Sequence, residues 1–175
     1  MTETAAPDLL IEFLQTRDNE EDSLATAESA AEWFARHGLM HLEDEATDDE
    51  ARAARHARAA LRALFSTHDG GALDGRSTQT LDDVNRGSPL RVTFEPGGAV
   101  ELEPVRSGLS GGLAMLMALV YRASVDGTLG RYKACKQCGW AFYDGSKNRS
   151  RVWCDMATCG SQVKARSYRA RQKSK

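Results

Sequence analysis

The four cysteines of this 175-residue chain stand at Cys135, Cys138, Cys154 and Cys159, spaced C-x2-C-x15-C-x4-C within its last fifth. Two close pairs separated by a medium loop allow four thiolates to converge on one tetrahedral Zn²⁺. A disulfide framework is the weaker reading, because the polar N-terminus carries no secretory signal that would point to an oxidising compartment. Thioredoxin-like chemistry at Cys135 and Cys138 would call for a preceding strand in a βαβ unit, and none is readable. With four cysteines and no spare ligand the site reads as closed, which means one structural Zn²⁺ per chain rather than a catalytic one. His37, His41, His56 and His68 all lie far upstream, on or between helices, where surface and cap roles are commonest. No nucleophile triad, paired-carboxylate site or cofactor fingerprint is present, so enzyme activity is not expected.

The elements that must position these cysteines can be read locally. Cys135-Lys136-Gln137-Cys138-Gly139 has the form of a zinc knuckle, with Gly139 letting the backbone curl so that its amides face the sulfurs. Trp140, Phe142 and Tyr143, then Val152 and Trp153, flank Gly145-Ser146-Lys147-Asn148 and predict two short strands with a turn between them. Cys154 would end the second strand. Residues from Asp155 to Lys173 have helical composition, placing Cys159 in the first helical turn, where the dipole favours a thiolate. Knuckle, hairpin and ligand-bearing helix together predict a treble-clef-like finger. Its core is too small to fold alone, so metal must supply about 10 kcal/mol of its stability. Trp140 and Trp153 are read as finger core rather than as base-stacking platforms.

Charge divides the chain in two. Residues 1–130 hold eleven Arg and no Lys against twenty-three acidic residues, a net of −12, whereas residues 131–175 hold twelve cations against only Asp144 and Asp155, a net of +10. That asymmetry makes the basic part a candidate for a polyanion partner, against the plainer reading of a solvated tail. Projected at about 100° per residue, Cys159, Val163 and Ala170 share one face of the terminal helix, Gln162, Arg166, Arg169 and Lys173 a second, and Lys164, Arg171 and Lys175 a third. Such a helix can lie along phosphates or enter a major groove, with Arg149 and Arg151 near enough to add contacts.

The remainder reads as mostly helical. Asp8 to Thr16 is amphipathic; Ala27 to His37 follows Thr26 as N-cap and stops at Gly38; Thr47 and Glu50 form a capping-box signature before a long helix with Ala54, Leu61, Leu64 and Phe65 in its buried stripe, ending at Gly70 and Gly71. Gln79 to Arg86 is a shorter helix. Leu90, Val92 and Phe94 alternate with polar residues, as do Val100 and Leu102, around Pro96-Gly97-Gly98, predicting a β-hairpin. The apolar run after Ser110 is a central buried helix ending near Gly127, too short and too broken by glycine to span a bilayer. Gly108-x-x-Gly111-Gly112 lacks the lysine of a phosphate loop and reads as a flexible helix entry. The expected fold is α+β, mostly α: a helical N-terminal domain with one hairpin over 1–130, then a basic finger ending in a helix over 131–175. With no lipidation motif or spanning segment, a cytoplasmic location is the default.

The run from Cys138 through Gly-Trp-Ala-Phe-Tyr-Asp-Gly-Ser-Lys-Asn-Arg-Ser-Arg-Val-Trp to Cys154, then Asp-Met-Ala-Thr-Cys159-Gly and a basic helix ending Arg-Ser-Tyr-Arg-Ala-Arg, resembles the bacterial CGNR-type zinc finger. In that family the finger follows an ABATE-type helical domain, to which the Leu9 to Thr16 and Ala51 to Leu64 segments are similar. The resemblance implies zinc on the four cysteines, DNA binding by the finger and a stress-linked role in transcription regulation. The chain departs from the defining tetrapeptide, with Ser161-Gln162 after Cys159-Gly160 where the family has Asn-Arg.

Two readings follow. In the first, the finger binds DNA through Arg149, Arg151, Lys164, Arg166, Arg169, Arg171 and Lys173, while the acidic domain senses a small-molecule ligand or forms a homodimer. In the second, the zinc-stapled finger is a protein-interaction module that docks on a partner or on its own acidic domain.

Overall fold

Hydroxyl caps set where the first long helices begin. The computed structural model describes residues 6–18, 21–67 and 71–173; His68, Gly70 and Lys175, and the side chains of Asp8 and Lys173, lie outside the described set. Helix α1 spans Ala6–Leu14 and α2 spans Ala27–Arg36. The Thr26 side chain accepts from Ser29 N, and Ser29 reciprocates, so the expected N-cap is one half of a capping box. Helix α3, Asp48–Ser66, starts on the expected box of Thr47 and Glu50. Helix α4, Gly75–Gly87, begins four residues before the expected start because Asp74 caps it, accepting from Ser77 N.

Strands β1 (Leu90–Phe94) and β2 (Val100–Pro104) form the expected antiparallel hairpin, with Val92 opposite Leu102. Its apolar alternation does not mark a buried face, since Val92, Phe94 and Val100 are all more than half exposed. Helix α5, Gly108–Val125, runs through the middle of the molecule with Leu109, Leu113, Leu116 and Leu119 buried. Its length and apolarity would suit a membrane span, but most of it is buried within the fold. The glycines at its entry serve close packing rather than flexibility. A Cβ on Gly112 would lie 2.3 Å from a ring carbon of Phe34, and one on Gly111 would lie 2.4 Å from the Arg106 carbonyl oxygen.

After a 3₁₀ turn at Leu129–Arg131, strands β3 (Tyr132–Ala134) and β4 (Ala141–Tyr143) pair antiparallel, and a π-helical turn at Met156–Gly160 leads into helix α6, Ser161–Lys173. The second hairpin is thus built on Tyr132–Ala134, not on Val152 and Trp153, which lie in irregular backbone. The knuckle itself is the hairpin turn. The finger and the helical part, distinct in charge, share one core. Tyr132 and Ala141 belong to the same buried cluster as Leu10, Phe13, Leu61 and Phe65, the Phe65 and Tyr132 rings lie 5.2 Å apart, and Gln15 Nε2 donates to Ala141 O at 2.9 Å.

Arginines of α3 clip the α1–α2 connection to that core. Arg58, 4% exposed, donates to both carboxylate oxygens of Asp22 at 2.6 and 2.7 Å and to Thr16 Oγ1 at 2.8 Å. Arg55 reaches Leu24 O and Ala25 O, while Arg62 donates to Leu14 O and Arg17 O. The planar fork of arginine fits such multiple acceptors, whereas a lysine ammonium would not. The Arg58 hydrogen bond holds the Asp22 carboxyl below its ordinary value, more than offsetting the upward effect of burial. We expect Arg58→Ala to destabilise the protein by about 2–4 kcal/mol in urea unfolding, since it strands a half-buried carboxylate. Arg52→Ala, which removes only an exposed pair with Asp49, should change stability by less than about 0.5 kcal/mol.

Candidate metal centre and basic helix

Cys135 follows β3 directly, and the chain then turns so that Gly139 N donates to Cys135 O at 2.8 Å and Cys135 N to Trp140 O at 2.9 Å. Gly139 sits at φ +74°, a left-handed conformation that closes the knuckle at no Cβ cost. Lys136 N donates to Val152 O at 3.0 Å, which lays the returning segment beside the knuckle and delivers Cys154. Cys159 comes from the π-helical turn, whose first turn is capped by Asp155 accepting from Thr158 N at 2.7 Å.

The four sulfurs lie within 4.8 Å of one another. Two separations, Cys138 to Cys154 and Cys154 to Cys159, are both 3.7 Å. A tetrahedral site with Zn–S bonds near 2.3 Å requires sulfur pairs about 3.8 Å apart, whereas a disulfide would draw two of them to about 2.0 Å. All four cysteines are free thiols. The donor set therefore fits one structural Zn²⁺, and four protein ligands leave no position for a reacting water.

The local electrostatics agree. Burial works to raise the Cys135 thiol, but backbone N–H groups of Cys154, Cys138 and Gln137 and the Cys138 side chain bring it down to about 6. Burial and the neighbouring sulfurs push Cys154 upward, and Cys159 rises for the same leading cause. Four thiols this close cannot all ionise unaided. A divalent cation among them supplies the charge that lets all four be thiolates.

Sequence reasoning missed the ion pair that carries the loop between the cysteine pairs. Asp144 is fully buried and accepts from Lys133 Nζ at 2.8 Å, Ser146 N at 3.0 Å, Ser146 Oγ at 2.6 Å and Arg151 N at 2.8 Å. Lys133 Nζ also donates to Arg149 O and Arg151 O. Burial opposes ionisation of Asp144, yet the Lys133, Ser146 and Arg151 bonds hold its carboxyl well below the usual range. The only hint in sequence was that Asp144 is one of two acids in a strongly basic segment.

The proposed nucleic-acid residues fall into two groups. Arg149 and Arg151 are exposed but serve the fold: Arg149 donates to Gly127 O at 3.1 Å, and Arg151 donates to Cys154 O while lying 5.1 Å over the Phe142 ring. Lys164, Arg166, Arg169 and Arg171 are exposed on α6. Among the described residues Lys164 and Arg166 have no ion-pair partner, and Arg169 Nε donates to Ala165 O. Of the face shared by Cys159, Val163 and Ala170, the first two are partly buried but Ala170 is exposed. Trp140 is exposed too, contrary to a core role, whereas Trp153 is partly buried. Among the described side chains of α6, all but Val163 are exposed.

A helical domain fused to a four-cysteine finger is the class that these features define. Residues 131–172 match the CGNR zinc finger, and residues 8–127 match the ABATE family, whose description is "Putative stress-induced transcription regulator". The chain belongs to the ABATE family and carries a C-terminal CGNR zinc finger. No curated protein matches it.

Purified protein should hold one zinc per chain by elemental analysis, and Cys154→Ser should retain less than half an equivalent. Because the finger shares the helical core, that variant should lower the melting temperature of the whole chain rather than create a separate early transition. Asp144→Asn should destabilise by about 3–5 kcal/mol at pH 7 by leaving the Lys133 ammonium unpaired. The sign with pH follows from a depressed folded value: Asp144 contributes fully above about pH 4, its unfolded value, and that contribution is lost as pH falls further. The wild-type advantage over Asp144→Asn should therefore narrow in urea unfolding between pH 5 and pH 2, values set by the same unfolded reference of about 4.

Proposed function

We propose that this protein is a non-enzymatic, zinc-dependent transcription regulator whose finger and α6 bind duplex DNA. One observation carries the reading: α6 presents exposed Lys164, Arg166, Arg169 and Arg171 immediately after the four-sulfur centre, on a segment of net +10. A helix of that kind, rigidly started by a metal ligand, offers phosphate contacts along its length and fits a major groove. Lys173 would extend the same stripe. Arg149 and Arg151 act chiefly by fixing the loop beside it. The unit over 131–175 faces DNA, the unit over 1–130 regulates it, and both work in the cytoplasm.

The shared core supports this reading over a free-standing interaction module. Tyr132 and Ala141 tie the finger's hairpin to α1 and α3, so a change in the helical domain reaches the DNA-facing helix through packed side chains. Gln162, where the family pattern has arginine, is exposed in the first turn of α6. It is the position at which this chain's DNA contact departs from its relatives.

Binding to a random duplex should weaken with salt at a log–log slope of about −5 if six phosphates are contacted, and each of Lys164→Ala and Arg166→Ala should reduce that slope by about 0.9. Gln162→Arg should steepen it by a similar amount. No binding at low salt, or slopes untouched by the α6 variants, would remove DNA from the account. An unchanged slope with a raised melting temperature in Gln162→Arg would instead assign the family arginine to bracing the finger.

A further inference from the structure

A cavity of about 350 Å³ opens between α3, α4 and the start of α5, far from the cysteines in sequence. Its floor is apolar, made by Ala53, Val84 and Leu113, and its polar rim divides sharply by whether each group is already satisfied. The three acids are engaged. Asp49 pairs with Arg52, Glu50 accepts from Thr47 N at 2.9 Å and Thr47 Oγ1 at 2.8 Å, and Asp83 pairs with Arg86 and accepts from Gln79.

The groups left over are donors. Arg106 and His56 line the cavity, and neither side chain has a partner among the described residues. Ser88, 4% exposed, also lines it. Among the described residues its side chain has one hydrogen-bond partner, Ser110 Oγ at 3.4 Å, long for an O–H···O bond, and Ser110 already donates to Gly87 O at 2.9 Å. A hydroxyl so deeply buried, with only that long contact for its proton, is costly unless something else enters the cavity. The first turn of α5, which supplies Ser110, carries no acidic residue of its own and no cap from Ser107; its first amide, Gly108 N, donates to the Asp44 carboxylate at 3.2 Å.

We propose that this cavity is a binding site for a small monocarboxylate with an apolar body. The carboxylate would accept from the Arg106 guanidinium and the Ser88 hydroxyl at the start of α5, while a ring or short alkyl chain covers Ala53, Val84 and Leu113. One guanidinium and one hydroxyl match a planar single charge. A phosphate dianion would face three carboxylates at the same rim, so the monoanion is the better fit. The volume is in the lower range for ligand sites, which limits the body to roughly a single ring with a short chain. Helices α3 and α5 both run from this cavity to the finger, ending at Phe65 against Tyr132 and near Gly127 beneath Arg149. Occupancy and the DNA-facing helix are thereby linked, although binding itself does not depend on the DNA reading.

Calorimetric titration of the zinc-loaded full chain with benzoate, 3-phenylpropanoate and octanoate tests the site directly. At least one should bind one-to-one with a Kd on the order of 0.1 mM, and its primary amide at least about tenfold more weakly. Arg106→Gln, at an exposed residue without a partner, should also weaken binding about tenfold, and Ser88→Ala about threefold. Asp83→Asn should leave it unchanged or slightly tighter. The proposal is overturned if none of the three carboxylates binds below about 10 mM, a ceiling on the affinity scale where specific recognition is negligible. Equal binding of acid and amide, or full affinity in Arg106→Gln, would overturn it as well.

Discussion

The Lys133–Asp144 pair is the interaction on which the finger depends. A fully buried carboxylate is tolerable only when every lone pair finds a donor, and Asp144 finds four, two of them backbone amides across the loop it starts. Lys133 in turn binds the carbonyls of Arg149 and Arg151 on the far side of the same loop. Between them the two residues fold 144–151 against β3. That placement lets Val152 receive the Lys136 amide and sets Cys154 within reach of Cys138. The polar network thus positions the loop that brings the four sulfurs together. Zinc then provides the charge that four adjacent thiolates require.

The finger is not an appendage. Its hairpin completes a wall of the helical core, with Tyr132 against Phe65 and Tyr143 against Tyr132 at ring distances of 5.2 and 5.1 Å. Helix α6 stands clear of the core, its described side chains other than Val163 all exposed. In the acidic half, Arg55, Arg58 and Arg62 clamp carbonyls and a carboxylate, contacts that suit the arginine fork.

Local signals in the sequence were read well where one residue controls one event. Thr47 with Glu50 starts α3, the cysteine spacing gathers the sulfurs, and the apolar run makes α5 the central helix. Signals failed where a distant partner decides. Local composition points to Val152 and Trp153, one β-branched and one aromatic, rather than to Tyr132–Ala134 as the partner of Ala141–Tyr143; the choice is made by the Phe65 ring against Tyr132 and by Lys133 reaching Asp144. The alternation of Val92, Phe94 and Val100 revealed a hairpin but not its exposure. Gly111 and Gly112, which read locally as a flexible helix entry, are required by the close approach of Arg106 and Phe34. The cavity beside α5 depends on which donors remain unpaired, and that is invisible without coordinates.

Hydrogen–deuterium exchange of the full chain, with zinc bound and after chelation, tests the central claim that metal site and helical core are one folded unit. Removing zinc should release protection in 131–160 and, together with it, at the core-facing ends of α1 and α3, around Leu10 to Leu14 and Leu61 to Phe65. A change confined to 131–173, with those helix ends as protected as before, would contradict the account.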